Sequence, residues 1–186
     1  AATGGDWGAE LAERMGVQAP LGLLGIHTNF AGAVRPNVAA AAQSGDPSGL
    51  DEEETRIYEE LTLFFATDAG YAIESATHPQ ALYGIADSPI GLAAWMLDHD
   101  ATSLALISRV FVDGAQEGLT RDDVLDNITH YWLTNTGVSS GRLYSENKLG
   151  FFDPKGVDIP VAVSVFPDEL YQAPRDWAEE AYPNLI

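Results

Sequence analysis

Two short apolar runs stand out in the pattern of hydrophobic and polar positions, and each predicts a β-strand. Residues 21–26 (LGLLGI) are almost wholly apolar, which is typical of a strand covered on both faces in a parallel sheet. Residues 159–166 (IPVAVSVF) are rich in valine and carry prolines near their start and just beyond their end, so they predict a second strand. Residues 183–186 (PNLI) predict the approach to a third.

Helical periodicity dominates much of the rest of the chain. Thr120 with Asp123 three positions later forms a capping box, with Asp in place of Glu, and Asp51 is a suitable N-cap. Residues 31–49 are rich in Ala, Gly, Pro and Ser and predict a loop. The predicted helices are 7–15, 51–69, 90–97, 120–135 and 174–182.

The order of these elements predicts an α/β fold with a parallel sheet, because strands alternate with helices. Residues 1–30 and 151–186 carry the predicted strands. The intervening residues, 31–150, form a mostly helical insertion between two strands of that sheet. The chain therefore divides into a core in two pieces and one inserted region.

Composition narrows the classes of function. The chain of 186 residues has 9 basic and 28 acidic side chains, a formal net charge of −19 and no cysteine. Such acidity argues strongly against nucleic-acid binding, which needs a basic surface, and disfavours adsorption to anionic membranes. No apolar run is long enough to span a bilayer. An acidic, lysine-poor surface fits a salt-adapted host or a soluble cytoplasmic protein kept apart by self-repulsion, and we favour the second interpretation.

The most informative short segment is Gly4-Gly5-Asp6-Trp7-Gly8, ahead of the first helix. It has the form of the nucleophile elbow of α/β-hydrolases, with Asp in the place of Ser. The turn requires glycine at positions 4 and 8, because side chains there would clash in so tight a turn. The nucleophile would then lie at a helix N-terminus, which favours negative charge. The alternative is a glycine-rich turn without catalytic function.

An aspartate nucleophile predicts a particular chemistry. Attack by its carboxylate on an sp³ carbon gives an ester between enzyme and substrate, and water must then attack the carbonyl carbon of that ester. Epoxides and alkyl halides suit this sequence of steps better than peptides do.

Longer segments resemble the microsomal-type epoxide hydrolases and their bacterial relatives. The resemblance covers essentially the whole chain and rests on GGDWG at 4–8, GYAIESATHP at 70–79, DSPIGLAAW at 87–95, DNITHYWLTN at 126–135, RLYSEN at 142–147 and FPDEL at 166–170. It implies an α/β-hydrolase sheet flanked by helices, with a mostly helical cap inserted between sheet strands. It also implies that N- and C-terminal parts of this fold are missing from the chain.

The resemblance also implies roles for individual residues. Asp6 corresponds to the nucleophile, and Trp7 would supply a backbone N–H to the oxyanion hole. Tyr71 and Tyr144 correspond to the cap tyrosines that bind the epoxide oxygen and donate a proton to it. Glu169 corresponds to the acid that orients the catalytic histidine, and its neighbour Asp168 is an alternative.

The histidine itself is the point at which the pattern departs from the family. The family's order is nucleophile, acid, histidine, whereas all four histidines here, His27, His78, His99 and His130, precede Glu169. We favour a structural role for His27. The chain is therefore expected to be a fragment of a longer hydrolase, inactive on its own because it lacks a base and a complete oxyanion hole.

The resemblance implies a bacterial, cytoplasmic, detoxifying hydrolase that needs no cofactor and no metal. Its partner would be a small-molecule epoxide substrate, with neither nucleic acid nor membrane involved. Assembly into a homo-oligomer is left open. A haloalkane dehalogenase is the nearest enzymatic alternative. A departing halide needs no proton, however, so that reaction would not need the two tyrosines as proton donors. A non-catalytic protein that binds small molecules in the same fold is the other.

Overall fold

A computed structural model describes residues 1–147, 150–167 and 169–186. Three short parallel strands, β1 (Ala2–Gly4), β2 (Ile26–Thr28) and β3 (Val161–Val163), form a sheet in the order β1-β2-β3. Their first residues, Ala2, Ile26 and Val161, are in register. The carboxyl ends of all three strands therefore meet at one edge of the sheet, where open α/β sheets place their ligand sites.

Helices account for most of the remaining described residues. They are α1 (Trp7–Gln18), α2 (Pro36–Ser44), α3 (Glu52–Thr67), α4 (Gly70–Thr77), α5 (Tyr83–Ala86), α6 (Pro89–Leu97), α7 (Ala101–Asp113), α8 (Arg121–Thr134), α9 (Gly137–Glu146) and α10 (Arg175–Ala181). A 3₁₀ turn, Pro79–Leu82, precedes α5. In the part of the chain that the structure describes, no helix is both long enough and apolar enough to cross a bilayer.

The chain divides into two compact units. The sheet unit consists of Ala1–Thr62 and Leu149–Ile186, and the helical unit is Leu63–Lys148. The core of the sheet unit surrounds the strands and buries, among others, Ile26, Val161, Trp177 and Tyr182. The helical unit has its own small core of Leu82, Ile85 and Leu92.

Residues 31–49, predicted as a loop, contain helix α2. Alanine has the highest helix propensity, Pro36 occupies the first turn, and Gly45 ends the helix in the left-handed conformation. Val38 of α2 and Ile57 of α3 are fully buried in the core of the sheet unit. The compact units thus divide the chain after residue 62, whereas the sequence placed the start of the cap at residue 31.

The strand predicted at residues 21–26 begins later in the chain than expected. Residues 21–25 are not in a strand, and Leu21 and Leu24 are exposed. Gly22 has a φ of 92°, and the Leu23 N–H donates to the carbonyl of Pro20, so a turn occupies this segment. The strand begins only at Ile26 and includes His27 and Thr28.

The other two predicted strands lie close to where the structure has strand residues. Strand β3 lies inside the predicted 159–166, and Leu185 forms a parallel bridge to Val161 where a further strand was expected to begin.

Capping signals proved reliable. The Thr120 side chain accepts from the Asp123 N–H while the Asp123 carboxylate accepts from the Thr120 N–H, the reciprocal pattern predicted for the start of α8. Asp51 and Glu54 form the same kind of box at the start of α3. These local hydrogen bonds can be read from the sequence because both partners lie within one helical turn.

Candidate active site

Gly5 and Asp6 are the two residues between the end of β1 and the start of α1, and Asp6 is the second of them. Its φ of 48° and ψ of −129° place it outside the common regions for a residue with a side chain. Backbone strain of this kind costs of the order of 1–3 kcal/mol and concentrates at functional sites. The Asp6 side chain is exposed at the N-terminus of α1, where the unpaired N–H groups of the first turn favour an anion.

Gly4 is required by the close approach of two backbone segments. A Cβ at Gly4 would lie 2.0 Å from the Gly8 carbonyl oxygen. A Cβ at Gly8 would meet no atom within 4 Å. The prediction that a side chain would clash was therefore right for Gly4 and wrong for Gly8, because only the β1 side of the turn faces another backbone.

Trp7 opens helix α1, and its side chain is partly buried. Its indole packs edge-on against Phe151, with ring centroids 5.1 Å apart and an interplanar angle of 89°. This packing holds the first residue of α1, whose backbone N–H the sequence assigned to the oxyanion hole.

Glu169 follows β3 at the same edge of the sheet. Its Oε1 accepts a hydrogen bond of 2.5 Å from Nδ2 of Asn29, the residue directly after β2. The sequence singled out Glu169 but missed Asn29. The available signal was its position, since a polar residue directly after a parallel strand lies at the ligand edge of the sheet. The alternative acid, Asp168, lies outside the described residues.

His27 is held within the sheet by two side chains. Its Nδ1 shares a hydrogen bond of 2.8 Å with Thr3 Oγ1, and its Nε2 shares one of 2.9 Å with Ser164 Oγ. Both ring nitrogens are thus engaged across the strands, which agrees with the structural role favoured from the sequence.

A buried ionic cluster on the inner face of α1 was not predicted. Glu10 and Glu13 are 3% and 1% exposed. The Lys155 ammonium lies 3.0 Å from Glu10 Oε2 and 3.3 Å from Glu13 Oε2, and it donates to the Phe151 carbonyl. The cluster therefore ties the helix that follows Asp6 to the segment that carries Phe151.

Further hydrogen bonds complete this cluster. Glu13 Oε1 accepts from the Gly32 N–H at 2.9 Å and from the Tyr182 hydroxyl. Burial raises the pKa of Tyr182, and the negative charge of Glu13 raises it further, so this phenol stays protonated. Besides Lys155, Glu13 thus has two hydrogen-bond donors, whereas Glu10 has Arg14, whose Nε donates to Glu10 Oε1 at 2.8 Å.

In the helical unit, Tyr71 of α4 and Tyr144 of α9 come together. Their ring centroids are 5.8 Å apart and their planes are perpendicular. Gly141 of α9 packs closely against the 3₁₀ turn, since a Cβ there would lie 2.4 Å from Leu82 Cδ1. The two tyrosines singled out as proton donors, 73 positions apart in sequence, are thus neighbours.

His99 stacks on Tyr71, one of these two tyrosines, with ring centroids 4.4 Å apart. Its Nδ1 lies 3.0 Å from Asp100 Oδ2. Burial raises the pKa of Asp100, but hydrogen bonds from Ser103 and His99 outweigh burial and lower the pKa to about 2. The Asp100 carboxylate is therefore ionised at neutral pH, where it also caps α7. Among the described residues, no group of three or more His, Asp or Glu side chains could hold a metal ion.

No family model matches the chain. It is 39% identical to a putative epoxide hydrolase of Stigmatella aurantiaca, in an alignment covering 100% of this chain and 40% of that protein. It is 32% identical to epoxide hydrolase 1 of Oryctolagus cuniculus, covering 98% of this chain and 44% of that protein. The chain spans less than half the length of these curated relatives.

Solved structures give the same picture of the fold. The juvenile hormone epoxide hydrolase of Bombyx mori matches with a TM-score of 0.65 and 24% identity, over 99% of this chain and 46% of that one. The epoxide hydrolase of Aspergillus niger matches with a TM-score of 0.67 and 23% identity, over 99% of this chain and 43% of that one. The chain has part of the α/β-hydrolase fold, and its predicted resemblance to epoxide hydrolases is confirmed.

Proposed function

We propose that this chain takes part in the hydrolysis of a small-molecule epoxide to a vicinal diol, with Asp6 as the nucleophile. The observation that carries the proposal is the backbone of Asp6, whose φ of 48° is held between β1 and α1 in a chain similar to epoxide hydrolases along its whole length. A strained, exposed carboxylate at a helix N-terminus is arranged to react with a substrate.

The first step is attack by the Asp6 carboxylate on an epoxide carbon. A C–O bond forms between Asp6 and that carbon while the ring C–O bond breaks, which gives an ester and leaves negative charge on the epoxide oxygen. That oxygen needs a proton. The phenols of Tyr71 and Tyr144 are donors near neutral pH, and their proximity to each other supports a shared role on one oxygen.

The second step is hydrolysis of the ester. Water adds to the carbonyl carbon of Asp6, the oxyanion forms on Asp6 itself, and we assign the Trp7 backbone N–H as one donor to it. The bond between this carbon and the substrate oxygen then breaks, the substrate oxygen takes a proton and leaves as part of the diol, and the Asp6 carboxylate is restored. A base must take a proton from that water, and Glu169 is assigned to orient this base. The four histidines of the sequence all precede Glu169, so we assign the base to no residue of this chain.

The proposal is tested by diol formation from a styrene-oxide-type probe. The protein is expressed with whatever its gene encodes on either side of these residues. We expect diol formation in the wild type and none with Asp6→Asn, whose amide is a poor nucleophile. Wild-type protein that releases no diol, or Asp6→Asn that retains the wild-type rate, would contradict the proposal.

Two tyrosine-to-phenylalanine variants distinguish an epoxide from an alkyl halide as the substrate. Tyr144→Phe removes a proton donor and is expected to slow epoxide opening by about 10²-fold or more. Tyr131→Phe, a change of the same kind at a tyrosine packed beside the small core of the helical unit, is the matched control and should have little effect. Turnover of an alkyl halide but no epoxide, unaffected by Tyr144→Phe, would identify a dehalogenase instead.

A further inference from the structure

Asn29 lies between Glu169 and Gly5, the residue before the proposed nucleophile. Its Nδ2 donates to Glu169 Oε1 at 2.5 Å. On its other side it lies against the nucleophile elbow, where a Cβ added to Gly5 would be 2.3 Å from Asn29 Oδ1. Asn29 therefore fills the space between the residue before Asp6 and the acid that follows β3.

The backbone on both sides of Asn29 is fixed by a buried threonine. The Thr28 side chain is 0% exposed, accepts from the Phe30 N–H at 2.9 Å and donates to the Phe30 carbonyl at 3.1 Å. The Thr28 carbonyl in turn accepts from the Ser164 N–H beyond β3. These hydrogen bonds hold the backbone at the exit of β2, and they place the residue from which the Asn29 side chain reaches Glu169.

The carboxylate of Glu169 depends on this amide. Glu169 lies in a turn after β3, where its N–H donates to the Phe166 carbonyl at 3.4 Å. Among the residues that the structure describes, Asn29 is the one side chain that donates to Glu169. A glutamate has three side-chain torsions, so a single charge-assisted hydrogen bond strongly narrows where its second oxygen can be.

We propose that Asn29 is a positioning residue for Glu169: it holds Oε1 so that Oε2 is presented to the base that activates water. This inference rests on the proposed function and deepens it. Asn29 acts through Glu169 alone and touches no reacting atom.

The two steps of the reaction separate this role from a merely structural one. Ester formation needs Asp6 and the proton donors, whereas ester hydrolysis needs the base oriented by Glu169. Loss of the Asn29 amide should therefore slow hydrolysis of the ester and leave its formation unchanged. Loss of general structural integrity would slow both steps and lower the melting temperature.

The experiment compares single-turnover rates for Asn29→Ala and Asn29→Leu, the second of which preserves the approximate shape of the side chain. We expect the hydrolysis rate of the trapped ester to fall about tenfold or more in both variants, with ester accumulation. Asn37→Ala is the matched control. Asn37 makes the same type of bond, from Nδ2 to Glu54 Oε1 at 2.8 Å, at a site away from the elbow. This variant should leave both rates at their wild-type values.

Each other outcome has a definite meaning. Unchanged hydrolysis in the Asn29 variants, or equal slowing of both steps, overturns the positioning role while the proposed function stands. If Asn29→Ala does not fold, the Asn29→Leu rates decide by the same criterion. If the wild type forms no ester with an epoxide, the proposed function itself fails.

Discussion

At the scale of single residues, the elbow shows how far local sequence rules reach. The sequence predicted the tight turn at Asp6 because glycines surround it. It could not show that a Cβ at Gly4 would meet the Gly8 carbonyl whereas a Cβ at Gly8 would meet nothing. It also missed Asn29, because the partner of Asn29 lies 140 positions away. Contacts between distant segments leave no periodic trace in the sequence.

The two glycines therefore give opposite predictions for the same substitution. Gly4→Ala should destabilise the protein by about 3 kcal/mol or more, because the added methyl group collides with backbone that cannot move without distorting the elbow. Gly8→Ala should be neutral or stabilise by up to about 1 kcal/mol, because alanine is favoured within a helix. Urea unfolding of both variants checks this, and a loss of stability in Gly8→Ala as large as in Gly4→Ala would contradict the geometry.

At the scale of elements, prediction succeeded where the signal lies within one turn of helix. The capping box at Thr120 and the N-cap at Asp51 were predicted correctly, because each involves residues three apart. Strand β2 was misplaced because an apolar run does not show which of its residues find a partner strand. The run from Leu21 instead forms an exposed turn at Gly22.

The buried cluster that holds α1 makes a prediction about stability. Lys155→Met keeps the volume of the side chain but leaves Glu10 and Glu13 buried without their shared cation. Removing one partner of a buried ion pair costs about 3–5 kcal/mol, and we expect a loss of that order in chemical denaturation.

The matched control for Lys155 is an exposed ion pair. Arg175 lies 2.7 Å from Glu179 on the surface of α10, and 83% of its side chain is exposed. Arg175→Gln should change stability little, because exposed pairs are screened by water. Similar losses in Lys155→Met and Arg175→Gln would show that burial of the cluster is not what makes it important.

The N-cap of α7 should make stability depend on pH. Because the pKa of Asp100 is lowered from 3.8 to about 2, its contribution is complete above about pH 4 and is lost as the pH falls towards 2. Asp100→Asn can still accept a hydrogen bond from the Ser103 N–H but does not titrate. Between pH 5 and pH 2.5, urea unfolding should show a smaller loss of stability in Asp100→Asn than in the wild type, and an equal loss would contradict the lowered pKa.

At the scale of the whole molecule, the sequence predicted the class of fold and the existence of an inserted helical region. It did not predict that residues 31–62 pack with the sheet, because Val38 and Ile57 reveal their partners only once the core is assembled. Periodicity does not distinguish the polar residues of a site from other polar residues, whereas the resemblance to epoxide hydrolases does.

The net charge of −19 predicts a dependence on salt. Like charges at the surface repel one another in the folded state, and raising NaCl from about 0.05 M to about 0.5 M screens that repulsion. The melting temperature should therefore rise with NaCl. KCl at the same ionic strength should produce the same rise, because screening does not distinguish the two cations. A falling melting temperature would show that attractive ion pairs outweigh the repulsion.

We propose that Asp6 forms an ester with the substrate and that water cleaves this ester at its carbonyl carbon. The most direct test of this proposal is a single turnover of an epoxide in ¹⁸O-labelled water, with mass spectrometry of the diol and of the peptide that contains Asp6. We expect ¹⁸O in the Asp6 carboxylate and none in the diol, because the oxygen added to the substrate comes from Asp6. Label in the diol with none in Asp6 would mean that water attacks the epoxide directly, and would contradict the role of Asp6 as nucleophile.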